Sequence, residues 1–150
     1  MADAAVDDGF EPRVRASFAR QRVMETISAT LTRVDQGEVE IALPYRADLT
    51  QQHGFIHAGI VATILDSACG YAAFSLMPAD VAVLTVEYKI NLLRPAKGDR
   101  LVARARVVRS GKTLTVCAGD VVAQAGGVEN VIATMLATVM AVPQRDNLTQ

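Results

Sequence analysis

Apolar and polar residues are spaced along the first part of the chain as in one helix followed by two strands. Residues 12–24 carry a modest apolar stripe and begin with a proline, which suits the first turn of a helix. Residues 26–34 and 38–44 predict two strands, joined at 35–37 by a short turn whose glycine can adopt positive φ. Residues 44–53 are polar and predict a loop.

The segment from 57 to 76 is apolar on every side of a helix. It is too long for a strand, and it ends at Met77-Pro78, where proline disfavours helix in the residue before it. A helix that is apolar all round must be buried on all sides. The run is about long enough to span a membrane, but Asp66 in its middle, two serines and several alanines argue against that.

The second half of the chain predicts four strands joined by tight turns, at 81–95, 99–110, 112–124 and 131–142. The first of them alternates between two sets of side chains that face opposite sides of a sheet: Leu84, Val86, Tyr88, Ile90 and Leu92 on one side, and Thr85, Glu87, Lys89 and Asn91 on the other. The order of elements predicts an α+β fold, in which a long antiparallel β-sheet wraps around one central helix, with an additional N-terminal helix.

Composition narrows the class of protein. The chain has 150 residues, typical of one domain, and its net charge of −1 with scattered basic residues argues against nucleic acid as a partner. Cys69 and Cys117 lie in apolar runs and predict buried free thiols rather than a disulfide framework. The acidic N-terminus lacks the basic and apolar regions of a signal peptide, so we expect a cytoplasmic protein that does not bind a membrane.

Asp66 needs a physical explanation, because an unpaired carboxylate inside an apolar helix is costly unless it is hydrogen-bonded or hydrated. A structural explanation is a hydrogen bond from Thr63 or Ser67, or an ion pair with a distant arginine. A functional explanation is a carboxylate held ready for proton transfer or nucleophilic attack. Both explanations stay open at this point.

The start of the same helix favours the functional explanation. Ala58 and Gly59 place free backbone N–H groups at a helix N-terminus, where positive partial charge concentrates. Small residues there let a ligand approach closely enough for the N–H groups to stabilise an oxyanion. The alternative is that Gly59 only permits tight packing.

The spacing of Gly59 and Asp66 bears on assembly. The two residues lie on nearly the same helix face but roughly 10 Å apart along the axis, too far to contact one reacting carbonyl. Two such helices packed antiparallel about a two-fold axis would bring Asp66 of one subunit beside Gly59 of the other. The spacing therefore favours a homodimer with two composite sites.

Two stretches of sequence carry a resemblance to a known family. HAGIVATILD, at 57–66, resembles the HGG…D helix of hotdog-fold thioesterases of the PaaI type. RPAKGDRLVARARVVRSGKT, at 94–113, resembles the third and fourth strands of that family and the turn after them. The resemblance implies a hotdog thioesterase domain at 13–142, between a flexible N-terminal tail at 1–12 and a C-terminal tail at 143–150.

The resemblance implies a role for each matching position. Asp66 matches the carboxylate that attacks the thioester or activates water, and the N–H groups of Ala58 and Gly59 match the site that polarises the thioester carbonyl. His57 matches a histidine that orients the neighbouring polar group, and Thr85 matches a Ser/Thr that positions the attacking water. A thioester is reactive enough for these groups to suffice, so no metal or other cofactor is expected, CoA being part of the substrate.

Two positions depart from the family pattern. Gln51, with Gln52 beside it, stands where the family often has Asn, and its longer side chain changes the reach of the amide. Ala58 replaces the first glycine of the motif, which keeps the backbone N–H but adds a methyl group that narrows the pocket.

Substrate-binding residues are expected around this motif. An aliphatic tunnel is expected to be lined by some of the following residues: Phe55, Ile60, Phe74 and Leu84. Arg94, Arg109 and Lys112 lie near strand ends, where they are either ligands of the CoA phosphates or solvated surface charges.

These observations predict an acyl-CoA thioesterase that hydrolyses an acyl- or aryl-CoA to the free acid and CoA. The expected assembly is a homodimer with composite sites, or a homotetramer. One alternative is a hotdog enoyl-CoA hydratase or dehydratase, in which His57 and Asp66 would face one substrate. The other is a non-catalytic acyl-CoA-binding protein.

Overall fold

The computed structural model describes residues 9–145 and 147–150. Two short helices lead into a β-hairpin, a long helix follows, and four strands complete the chain. The elements are α1 (Phe10–Arg20), α2 (Arg22–Ile27), β1 (Thr30–Asp35), β2 (Glu38–Pro44), α3 (Ala58–Phe74), β3 (Val81–Leu92), β4 (Arg100–Ser110), β5 (Leu114–Ala125) and β6 (Val128–Pro143). The predicted loop before α3 also contains a short 3-10 turn, Ala47–Leu49.

The strands form one six-stranded antiparallel sheet in the order β1-β2-β4-β5-β6-β3. Helix α3 lies against one face of this sheet and packs on β2 to β6. Its core side chains Ile64, Leu65 and Ala68 are completely buried, as the all-round apolar pattern predicted. The predicted α+β hotdog fold, a long antiparallel sheet around one central helix, is therefore confirmed. Within the described residues, no helix is both long enough and apolar enough to cross a membrane.

The N-terminal helix is interrupted, which the apolar stripe at 12–24 did not predict. Gln21 adopts an extended conformation (φ −80°, ψ 91°) that separates α1 from α2. Both helices remain anchored around the break, because the Gln21 N–H donates to Phe18 O and the Gln21 carbonyl accepts from Met24 N, each at 3.0 Å. Helix α1 begins at Phe10, inside the segment expected to be a tail, and residues 1–8 of that tail lie outside the described residues.

The first strand starts later than the prediction of 26–34. Helix α2 continues through the first residues of that segment to Ile27, and the residue that caps its C-terminus, Ser28, has a left-handed φ of 63°. Strand β1 therefore begins at Thr30. Met24 and Ile27 are buried in the core, and this tertiary packing overrides the strand preference of the local sequence.

Strand β3 contains an extra residue, Val86. The ladder to β6 pairs Thr85 with Val139 and Glu87 with Thr138, which leaves Val86 without a partner as a β-bulge. A one-residue insertion moves every later side chain to the opposite face of the sheet.

The bulge makes the predicted division of β3 into two faces wrong at Leu84 and Thr85, whereas the division from Glu87 to Leu92 is confirmed. Thr85, Tyr88 and Ile90 pair with residues of β6 that are buried beneath α3: Val139, Ala137 and Met135. Side chains opposite one another in a ladder share a face, so Thr85, Tyr88 and Ile90 lie on the helix-facing side. Leu84 lies on the outer side, with Glu87, Lys89 and Asn91.

Helix α3 crosses β5 at Gly119, where no side chain fits. A Cβ atom at this position would lie 2.8 Å from Leu65 Cδ1 and 2.8 Å from the backbone oxygen of Arg104. The missing side chain therefore sets how closely the helix approaches the sheet.

Replacing Gly119 with alanine should separate the helix from the sheet. We expect Gly119→Ala to lower the free energy of unfolding by about 1–3 kcal/mol through overpacking, as measured by chemical denaturation. Ala118→Ser, at the neighbouring position on the opposite face, should stay within about 0.5 kcal/mol of the wild type. An unchanged stability of Gly119→Ala would contradict the tight crossing.

Candidate active site

Asp66 receives its hydrogen bond from a neighbouring strand. Thr85 Oγ1 donates to Asp66 Oδ1 at 2.8 Å. The two helical candidates for this role bond elsewhere: Thr63 donates to the backbone carbonyl of Gly59, and Ser67 donates to the side-chain amide of Gln21. The structural explanation based on a hydrogen bond from Thr63 or Ser67 to the Asp66 carboxylate is therefore wrong.

Burial raises the pKa of the Asp66 carboxyl above its ordinary value, and the hydrogen bond from Thr85 offsets part of that rise. The hydroxyl is a neutral donor that favours the ionised form. A carboxylate with a raised pKa accepts a proton more readily than an exposed one, which is the property required of a general base.

A small cavity of about 100 Å³ opens beside this carboxylate, and we call it the Asp66 pocket. Most of its lining residues are polar, and they come from the α1–α2 junction, α3, β3 and the end of the described chain: Gln21, Asp66, Ser67, Gly70, Tyr71, Val83, Thr85 and Gln150. A polar cavity of this size has room for a few water molecules. Water can therefore reach the carboxylate.

His57 caps the start of α3. Its Nδ1 accepts a hydrogen bond from the Gly59 N–H at 2.8 Å, so the expectation that this N–H is free is wrong. The glycine suits this cap, because a Cβ at position 59 would lie 3.1 Å from His57 Nδ1. The N–H of Ala58 has no acceptor among the described residues, and it is the donor that the helix start offers to a ligand.

A larger cavity of about 470 Å³ lies at this end of α3, and we call it the helix-start groove. Its lining is mainly apolar, with Gln51 and Arg94 as the exceptions: Gln51, Phe55, Ile56, Ala58, Val61, Leu92, Leu93, Arg94, Pro95, Ala96 and Ile132. Arg94 is held in place by a hydrogen bond from its Nη1 to Val131 O at 2.7 Å. The structure thus brings together four of the predicted residues: Gln51, Phe55, Ala58 and Arg94.

Other predicted binding residues lie elsewhere. Gln51 Oε1 accepts from the backbone N–H groups of His53 and Phe55, so its amide also shapes the loop before α3. Three residues are exposed and line neither cavity: Gln52, Arg109 and Lys112. Their exposure is consistent with the alternative that they are surface residues.

The expected tunnel is lined differently from the prediction. Phe55 lines the helix-start groove, but Phe74 is only 1% exposed and belongs to the core. Leu84 lies on the outer face of the sheet because of the bulge at Val86. The groove is instead lined by three residues that were not among those expected from the sequence: Leu92, Leu93 and Ile132. The consecutive apolar pair Leu92-Leu93 breaks the alternation of β3, and this break was the feature of the sequence that could have indicated an apolar binding surface there.

Both cysteines are buried free thiols, as predicted. Burial raises the pKa of Cys69, and it raises the pKa of Cys117 to about 12. Both thiols are therefore protonated at neutral pH, which removes them as candidate nucleophiles.

The carboxylate and the helix start face different cavities. The Asp66 pocket and the helix-start groove have no lining residue in common. Asp66 with Thr85 borders the first, whereas Ala58 with Gln51 borders the second. One chain therefore does not present the acid and the Ala58 N–H to the same space, which agrees with the separation expected from the spacing of Gly59 and Asp66.

Comparison with known proteins places this architecture in a family. The thioesterase superfamily matches residues 53–129, which include the start of α3, Asp66 and Thr85. A crystal structure of a thioesterase family protein from Silicibacter pomeroyi is 56% identical, with a TM-score of 0.89 over 91% of this chain and 100% of that chain. Human acyl-coenzyme A thioesterase 13 is 30% identical over 71% of this chain and 75% of its own length.

The Escherichia coli PaaI protein, from the phenylacetic acid degradation operon, has the same fold. It is 21% identical, with a TM-score of 0.82 over 92% of this chain and 96% of that chain. The chain thus belongs to the thioesterase superfamily and is a thioester hydrolase, and the resemblance seen in the sequence is confirmed.

The hydrogen bond from Thr85 can be tested without any substrate. Thr85→Val keeps the shape of the side chain and removes the donor, so we expect the pKa of Asp66 to rise further, because the bond favours the ionised form. A ¹³C NMR titration of the carboxyl carbon measures this pKa. Thr85→Ser, which keeps the hydroxyl, should leave it near the wild-type value, and equal values in all three proteins would contradict the contact.

Proposed function

We propose that this thioester hydrolase acts on acyl-CoA, releasing the free acid and CoA, at sites shared between two subunits. The observation that carries the proposal is the separation, within one chain, of a half-buried carboxylate from the Ala58 N–H, which has no acceptor among the described residues. A second copy of the chain would supply the missing half. The acyl-CoA class is supported by the similarity to acyl-coenzyme A thioesterase 13.

The proposed chemistry uses Asp66 as the base. Its carboxylate takes a proton from water, and the water oxygen attacks the thioester carbonyl carbon. The Ala58 N–H of the other subunit donates to the carbonyl oxygen as that oxygen gains negative charge. The C–S bond then breaks, and the departing CoA thiolate receives the proton. Thr85 holds Oδ1, which leaves Oδ2 for the water.

The same geometry also allows direct attack. In that route Asp66 Oδ2 forms a mixed anhydride with the acyl group and expels the CoA thiolate, and water then hydrolyses the anhydride. Both routes need an ionised carboxylate and a donor to the carbonyl oxygen, so the assignment of the residues does not depend on the choice between them.

The edge of the sheet supports assembly into a homodimer. Strand β3 lies at one end of the sheet, and its apolar side chains remain exposed, Val86 to 54% and Leu92 to 54%. A long apolar edge strand invites pairing with another chain. Pairing of β3 with β3 about a two-fold axis would cover these side chains and place the two α3 helices antiparallel.

The helix-start groove is the proposed acyl-CoA site. Its apolar walls, with Phe55, Leu92 and Leu93, suit the hydrophobic part of the substrate, and the Arg94 guanidinium suits a phosphate. Gln51 lines the same groove as Ala58, and its amide group is proposed to orient the bound thioester. His57 keeps the helix start in shape by holding the Gly59 N–H.

Removing the charge of Asp66 should abolish hydrolysis. We expect Asp66→Asn to lower kcat by at least about 100-fold, because the amide cannot accept the proton, while the fold is kept. Release of free thiol from a panel of acyl-CoA substrates measures this. Asp120→Asn, on the outer face of the sheet, is the matched control and should retain wild-type turnover.

Three outcomes would overturn the proposal. Near-wild-type turnover of Asp66→Asn would remove Asp66 from the mechanism. Hydration of crotonyl-CoA without CoA release by the wild type would indicate a hydratase. Binding of acyl-CoA without turnover at any chain length would indicate a binding protein.

A mixing experiment tests whether the site is shared. Ala58→Pro removes the N–H donor at a position where proline suits a helix, and His57 already has the extended backbone (φ −59°, ψ 139°) that a following proline requires. A heterodimer of Ala58→Pro and Asp66→Asn subunits would contain one intact composite site. Equal mixing should therefore restore about a quarter of wild-type activity, since half of the dimers are mixed.

Ala58→Ser, which keeps the N–H, is the control and should remain active on its own. Unfolding and refolding the two inactive variants together ensures exchange of subunits. If the mixture stays inactive although mixed dimers are detected by mass spectrometry, each site lies within one chain.

A further inference from the structure

The Asp66 pocket contains an amide that the proposed chemistry has not used. Gln21 belongs to the break between α1 and α2, and its side chain lines the pocket together with Asp66 and Thr85. Ser67 Oγ donates to Gln21 Oε1 at 3.1 Å. The amide oxygen is therefore occupied, and its Nε2 group, with two N–H donors, has no acceptor among the described residues.

Within the described part of the chain, the Asp66 carboxylate has one oxygen that lacks a hydrogen-bond donor, just as the Gln21 amide nitrogen lacks an acceptor. Thr85 occupies Asp66 Oδ1, and Oδ2 has no donor among the described residues. An amide donor and a carboxylate acceptor thus line one small polar cavity that can hold water.

We infer that Gln21 is a positioning residue for the hydrolytic water: its side-chain amide, held by Ser67, orients a water molecule beside Asp66 in the Asp66 pocket. The inference rests on the proposed function and names the residues that place its nucleophile. Ser67 follows Asp66 directly in α3 and is 9% exposed, so the hydroxyl that fixes the amide is itself fixed by the helix.

The break in the N-terminal helix gives Gln21 this position. In a continuous helix over 12–24, Gln21 would have helical backbone angles. In the structure its backbone is extended instead, and hydrogen bonds of its own N–H and carbonyl to Phe18 and Met24 hold it in this conformation. Gln21 is thus fixed both through its backbone and through its amide, as positioning of a water molecule requires.

Two titratable groups near Asp66, Tyr71 and Cys69, are neutral in the relevant pH range, and one cation, Arg20, interacts with Tyr71 and donates to Gln150 O at the edge of the pocket. The Tyr71 phenol lines the pocket and shares a hydrogen bond with Ser17, and burial raises its pKa. Burial also raises the pKa of the Cys69 thiol one turn along α3. A change in the acid limb of a pH profile would therefore report on Asp66.

The test replaces Gln21 with leucine, which has similar bulk and no donor. We expect Gln21→Leu to lower kcat for acyl-CoA hydrolysis about 10- to 100-fold with little change in KM, because the water is misplaced while substrate contacts are kept. The acid limb of kcat/KM should move to higher pH, since the carboxylate loses a donor-oriented water that favours its ionised form. Gln36→Leu, in the exposed β1–β2 turn, is the matched control and should change neither quantity.

A second variant covers the case in which Gln21→Leu does not fold. Ser67→Ala frees the amide without removing it and should change kcat and the acid limb in the same direction by a smaller amount. Thermal unfolding of each variant accompanies the kinetics. The inference would be overturned if either folded variant kept both the wild-type kcat and the wild-type acid limb. It would also be overturned if kcat fell while the acid limb stayed in place, which would leave Gln21 a structural role.

An NMR titration of the Asp66 carboxyl separates this inference from the proposed function, because it needs no turnover. If the wild type hydrolyses acyl-CoA and the Gln21→Leu and wild-type titrations coincide, the inference alone fails. If the wild type hydrolyses no acyl-CoA but Gln21→Leu raises the Asp66 pKa, the proposed function fails and the link from the amide to the carboxylate stands.

Discussion

One extra residue in an edge strand determines what Asp66 contacts. Val86 forms a bulge, and because of it Thr85 lies on the helix-facing side of β3 together with Tyr88. Without the bulge, Thr85 and Tyr88 would face opposite sides of the sheet. A half-buried carboxylate that lacks a donor is costly, so the acid on α3 depends on the bulge in β3 for its hydrogen bond.

Much of the fold could be predicted because its signals are periodic. The all-round apolar character of residues 57–76 predicted a buried central helix, and the alternation of β2 predicted a half-buried strand. The bulge at Val86 could not be predicted, since alternation of apolar and polar residues continues through it undisturbed in the sequence. Only the pairing with β6 shows that the faces change there.

The sequence predicted which residues belong to the candidate site better than it predicted the contacts between them. The placement of Asp66 and Ala58 at separate positions follows from residue spacing on a regular helix. The capping of Gly59 by His57 could not be derived from spacing, because it depends on the backbone angles of the residue before the helix. The contact between Ser67 and Gln21 spans 46 residues of sequence and depends on a helix break, which local patterns did not indicate.

Partial burial of Asp66 also affects the folding equilibrium. The carboxyl ionises at its ordinary pKa in the unfolded chain and at a higher pKa in the folded protein. Between those two values the folded state binds more protons, so folding stability contributed by this residue declines as pH rises through that window. Above that window the ionised acid therefore weakens the native state. A neutral side chain of similar size at this position would avoid the loss of stability, so the carboxylate makes the native state less stable than its packing alone would allow.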